Sequence, residues 1–163
     1  MPEDPKGVIA SLGARALQTR SLVRAPIWLY RAGLGFAFGS RLLMLEHIGR
    51  KSGARRFVVL EVVEHLSHDE YVIVAGFGTR AQWYRNILAN PTVRVSSGFL
   101  RGVAAKAIPM TGEESAAALR RYEELHPKAW ANLRAAIEAA VGHPVEGLPM
   151  VKLRLGATGD AAV

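Results

Sequence analysis

Four cations crowd into the stretch GRKSGARR, where Arg50, Lys51, Arg55 and Arg56 surround Ser52 and Gly53. Apolar runs flank it, LLML before and FVVLEVV after, so the charge falls on a connection between two expected core strands. Two unit charges ~4 Å apart interact by roughly 1 kcal/mol in water and about 4 kcal/mol near a protein surface. Such a cluster repels itself unless an anion joins it. Arginine and lysine suit phosphate and carboxylate, and arginine can hold either through two hydrogen bonds. Ser52 and Gly53 can turn backbone N–H groups toward the same anion, as in a nest. The alternative is a hairpin tip that the charges only keep solvated. Charge of this density beside core strands favours the anion site.

A second stretch with chemical potential is AGFGTRAQWYRN, residues 75–86. An apolar run ends in Ala75, Gly76, Phe77 and Gly78, and a short loop with Arg80 leads to Trp83 and Tyr84 at a helix start. Glycines there let a flat ring approach the backbone, and the free N–H groups of a helix start favour negative charge. The plainer reading makes Trp83 and Tyr84 core residues and the glycines simple turns.

Other chemistries are excluded or weak. The chain has no cysteine, which removes disulfides, thiolate metal sites and cysteine nucleophiles and is compatible with a cytoplasmic protein. His47, His65, His68, His126 and His143 are scattered, and no metal site is expected. The Gly-x-Ser-x-Gly, Walker and Gly-x-Gly-x-x-Gly patterns are absent. The acidic cluster in GEESAAALRRYEE reads as a solvated helix face. A net charge of +7 favours anionic partners in general. Nucleic acid is not expected among them, because the aromatics are not spread along a basic groove as stacking platforms require.

The elements that would position these residues follow from periodicity. The 163 residues, half of them hydrophobic, suffice for one domain with a proper core. Residues 1–7 and 156–163 read as disordered, 8–40 as N-terminal helices and 41–155 as the core domain. No secretory signal is evident, and no run reaches the ~18 to 20 apolar residues of a spanning helix. Residues 21–39 combine aromatics with flanking arginines. They fit either a peripheral membrane contact or a short helix and loop packed on the core.

Strands are expected at 41–48, 56–66, 71–77, 92–97, 99–110 and 149–155, with Gly102 a candidate bulge. Helices are expected at 83–89, 111–126 and 127–141. Asn90-Pro91 ends the first of these, and Thr111 and Glu114 stand in capping-box register before the second. Successive hairpins imply antiparallel pairing. The class is α+β around a small antiparallel barrel or strongly coiled sheet.

GRKSGARR after an apolar strand, then YVIVAGFG, then WYRNILANPTVRV, resembles the deazaflavin-dependent nitroreductase and F420H2-dependent quinone reductase family. The likeness runs from about Leu42 to Met110, more weakly to Val151, and three motifs in order make it specific. It implies a split β-barrel like those that bind flavin mononucleotide (FMN), with flanking helices, and an oxidoreductase using coenzyme F420, an 8-hydroxy-5-deazaflavin.

By this resemblance Arg50, Lys51, Ser52 and Arg56, with Gly53 and Arg55 beside them, hold the cofactor's phosphate and glutamate tail. Ala75, Gly76, Phe77 and Gly78 face the ring, Arg80 replaces a lysine of longer loops, and Trp83 borders the ring and substrate. Asn86 and the Asn90-Pro91 turn read as structural. Past the LHP stretch only Trp130 stands where some members carry several tyrosines. The implied reaction is hydride transfer to an electron-poor small molecule such as a quinone, enone or nitro compound, with Tyr84 or solvent giving the proton. The implied assembly is a homodimer. Two other functions fit the same residues: an FMN-binding reductase, and a carrier that binds deazaflavin without turnover.

Overall fold

The computed structural model describes residues 41–156. The segments expected as N-terminal helices, as a membrane contact and as a disordered tail lie outside these residues, apart from Gly156.

Six strands form the core: β1 (Leu42–Ile48), β2 (Arg55–His65), β3 (Glu70–Val74), β4 (Thr92–Ser97), β5 (Leu100–Pro109) and β6 (Met150–Leu155). A 3-10 turn (Gly78–Arg80) and helix α1 (Gln82–Ala89) follow β3; α2 (Gly112–Leu125) and α3 (Pro127–Val141) follow β5. All pairings are antiparallel, in the order β1-β2-β3-β6-β5-β4, and β4 returns to β1 to close the barrel. Closure removes the unpaired edges that an open sheet must protect.

Alternation along the strands builds two cores. Leu43, Leu45, Ile73, Val95, Val151 and Leu153 fill the barrel together with Trp83 and Ile87 of α1. Val72, Val74 and Met150 face outward and meet Ala118, Tyr122, Trp130 and Ile137 of α2 and α3. Strand β3 is therefore covered on both faces, which is why it is apolar from Tyr71 to Val74. Two bulges curve the sheet: β2 shifts register between Val62 and Glu64. The β4–β5 pairing shifts between Val95 and Ser97, opposite Gly102, whose φ of 57° suits glycine. Ser96 Oγ accepts the Gly102 N–H at 2.9 Å there.

The strand expected to run to Phe77 ends at Val74. Ala75 still donates its N–H to Pro149 O at 2.9 Å. The chain then bends, and Gly78, at a φ of 70°, takes it into the 3-10 turn.

Candidate functional site

The cationic turn joins β1 to β2, so two barrel strands hold its ends. Gly49 N–H donates to Ala54 O and Gly53 N–H to Gly49 O, both at 2.8 Å. Ser52 Oγ accepts the Ala54 N–H at 3.2 Å. A Cβ on Gly49 would sit 2.6 Å from that Oγ, so a side chain there would displace the serine hydroxyl. Gly53, at a φ of 68°, occupies the left-handed region. Its N–H is spent inside the turn, so the expected nest does not use it.

Beside this turn stands the N-terminus of α1, which no side chain caps and whose first turn carries no acid. Between the two lies a pocket of about 590 Å³. Arg50, Lys51, Ser52 and Arg56 line its cationic side. Phe57, Val58, Phe77, Ala81 and Trp83 line its apolar side, with Gln82 at the helix start. Trp83 is itself buried, packed edge-on against Tyr84 with ring centroids 5.9 Å apart. Both aromatics are therefore core residues, as the plainer reading held, and Trp83 also reaches the pocket.

Two further residues line the pocket, His47 and Asn86. Asn86 Oδ1 accepts from Arg50 twice, from its backbone N–H at 3.1 Å and from its guanidinium Nη1 at 2.9 Å. The Asn86 amide nitrogen lies 3.2 Å from His47 Nδ1. Burial, then the Arg56 guanidinium, push the His47 imidazole down to about 4, so it is neutral at pH 7.

The remaining expected site residues are placed elsewhere. Arg55 projects away from this lining and pairs with Glu46 at 3.4 Å. The space a Gly76 side chain would take is held by Ile137, whose Cδ1 would lie 3.3 Å away. Gly76 and Gly78 line a smaller cavity of about 270 Å³ against Ile137, Val141 and the 143–148 loop. Arg80 lines a neighbouring cleft with Thr79, Val141 and His143. Phe77, 48% exposed, is the wall that both share with the cationic pocket. Ala75 is fully buried. Tyr84 lines a separate cavity with Met110, Ser115 and Leu119.

His47 and Asn86 were not identified from the sequence. His47 is one histidine of five in the sequence, and Asn86 reads there as structural. Their partners are 39 and 36 residues distant, so no local spacing announces them.

The family model for F420H(2)-dependent quinone reductase matches residues 22–142, which include the whole cationic turn and α1. The chain belongs to that family. It is accordingly an oxidoreductase, an F420H2-dependent reductase on a split-barrel fold. A solved structure described as a domain-swapped dimer is 26% identical, over 71% of this chain and 81% of that one, with a TM-score of 0.52. Another, an F420-H2 dependent reductase (FDR-A), is also 26% identical, over 70% of this chain and 94% of that one, with a TM-score of 0.48. A pyridoxamine 5'-phosphate oxidase-related, FMN binding protein from Nostoc punctiforme shares the fold alone, at 15% identity over 83% of this chain and 79% of that one, with a TM-score of 0.50. No curated protein matches the chain. In this member of the F420H(2)-dependent quinone reductase family, the cationic turn, the start of β2 and α1 line one pocket. No helix among the described residues is long and apolar enough to cross a membrane.

Proposed function

We propose that this chain binds reduced F420 in the pocket between the cationic turn and α1 and passes a hydride to a small electron-poor acceptor: a quinone, an enone or a nitro compound. One observation carries the reading. A single pocket is lined both by three cationic side chains and by Trp83, Phe57 and Phe77. That donor set suits a ligand with an anionic tail and a flat ring. Arg50, Lys51, Ser52 and Arg56 would hold phosphate and carboxylate, aided by the uncapped start of α1. Trp83 and Phe77 would border the ring.

When bound, F420H2 supplies the hydride donor, at its C5. The protein's part is to orient that ligand and to keep its anionic tail on the turn. The acceptor's second hydrogen is a proton from solvent, because Tyr84 lies on a different cavity.

Steady-state oxidation of F420H2 with a panel of quinones, enones and nitroarenes tests this. Turnover with at least one class is expected, and Lys51→Ala should raise the KM for F420H2 about tenfold or more by removing a charge-assisted contact. Saturable binding without turnover of any acceptor would make the chain a carrier and overturn the reading.

A further inference from the structure

We propose that His47 and Asn86 are positioning residues that hold Arg50 in its anion-binding pose, the imidazole fixing the Asn86 amide and the amide fixing the arginine. The inference rests on the reading of the pocket as the F420 site and assigns a role to two residues inside it.

The geometry is a chain of three side chains from three elements. His47 lies on β1, paired in register with Arg56 of β2, and is 4% exposed. Asn86 lies on α1 and is 5% exposed. Arg50 begins the exposed turn. An amide has one accepting and one donating end. Here the donating end faces His47 Nδ1 at 3.2 Å, so the ring accepts there and carries its proton on Nε2. The accepting end is thereby directed at Arg50, where one oxygen takes both the backbone N–H and Nη1. Turned over, the amide would place NH2 against a guanidinium and lose both bonds. The two Arg50 bonds and an imidazole that accepts at Nδ1 together keep it from turning.

The consequence falls on the ligand. A guanidinium has five N–H donors, and Nη1 spends one on Asn86, leaving the others for an anion. An unrestrained arginine loses rotamer freedom when it binds, and holding it beforehand lowers that cost. The bond to the Arg50 backbone N–H also fixes the point from which that side chain projects. Among the described residues no buried side-chain nitrogen or oxygen lacks a partner, so the relay is satisfied without a ligand.

The test is F420 titration of wild type, Asn86→Ala, Arg50→Ala and the double variant, with each unfolding midpoint measured alongside. Asn86→Ala should weaken binding about tenfold. The double variant should bind no more than about twofold weaker than Arg50→Ala, because the asparagine acts through the arginine. Losses that multiply in the double variant, or an Asn86→Ala affinity equal to wild type, overturn the proposal. His47→Gln, which keeps an accepting oxygen, should bind within about threefold of wild type, and His47→Leu should match Asn86→Ala. A His47→Leu affinity equal to wild type removes the histidine from the relay. Nitrogen-15 spectra of the free wild-type protein give a readout that needs no cofactor. They should show His47 neutral with its proton on Nε2, and a proton on Nδ1 contradicts the relay outright. Failure of wild type to bind F420 would instead reject the pocket's assignment, with the tautomer still deciding the relay.

Discussion

His47 is held between two cations, Arg56 across the sheet and Arg50 through Asn86, and it stays uncharged. Its pKa falls from 6.5 to about 4 through burial first and Arg56 second. The unfolded chain therefore binds a proton between those two values that the folded chain refuses. Stability is complete above about pH 6.5 and declines as pH falls toward 4, by a few kcal/mol at most. Urea midpoints of wild type and His47→Gln between pH 7 and pH 4.5 check this. The wild type should lose more over that interval, and parallel curves would contradict it. At this scale the sequence was informative where one residue type suffices: Arg50, Lys51, Ser52, Arg56 and Trp83 all reach the pocket. It was silent where a role depends on register. Arg55 has the same chemistry as Arg56, but alternation along β2 sends it to Glu46 on the other face. The self-repulsion that the four clustered cations suggested is thus relieved in part by the protein itself, through that pair and through Asn86.

The turn between β1 and β2 is shaped by its own hydrogen bonds before any ligand is considered, and the same is true of α2. Thr111 Oγ1 accepts the Glu114 N–H at 3.1 Å, and Glu114 accepts the Thr111 N–H at 2.8 Å. The helix so started carries Tyr122, whose hydroxyl donates to Glu61 of β2, and Arg121, which holds Glu64 through two bonds. Thr111→Ala should lower stability by about 1 kcal/mol while F420 affinity is unchanged, since no residue of α2 lines the cationic pocket. Chemical denaturation with a parallel binding titration reads both. A drop in affinity would show that α2 helps to shape the pocket. This capping box was legible because both partners lie within one helical turn. Element types were legible for the same reason, from alternation in β4 and the Pro127 that opens α3. The end of β3 was read too long, because nothing in GFG marks where pairing to β6 stops.

The closed order β1-β2-β3-β6-β5-β4 brings together what the sequence keeps apart. Local hairpins give β1-β2-β3 and β4-β5, and only the insertion of β6 between β3 and β5, with β4 against β1, makes a barrel. Those long-range pairings leave no local signature, so periodicity alone left a barrel or a coiled sheet open, and the family resemblance supplied the barrel. Closure also packs α1 against β1, and Trp83 and Asn86 of that helix line the same pocket as the cationic turn. At the scale of the molecule the net charge of +7 adds a diffuse attraction for an anionic ligand that salt screens. The central claim, that this pocket exists for F420, is tested most directly by titrating the purified chain with F420 and, separately, with flavin mononucleotide. Saturable F420 binding, weakened by salt and by Arg50→Ala and much tighter than flavin mononucleotide binding, is the expected result. Tighter binding of flavin mononucleotide, or F420 affinity indifferent to Arg50, would contradict it.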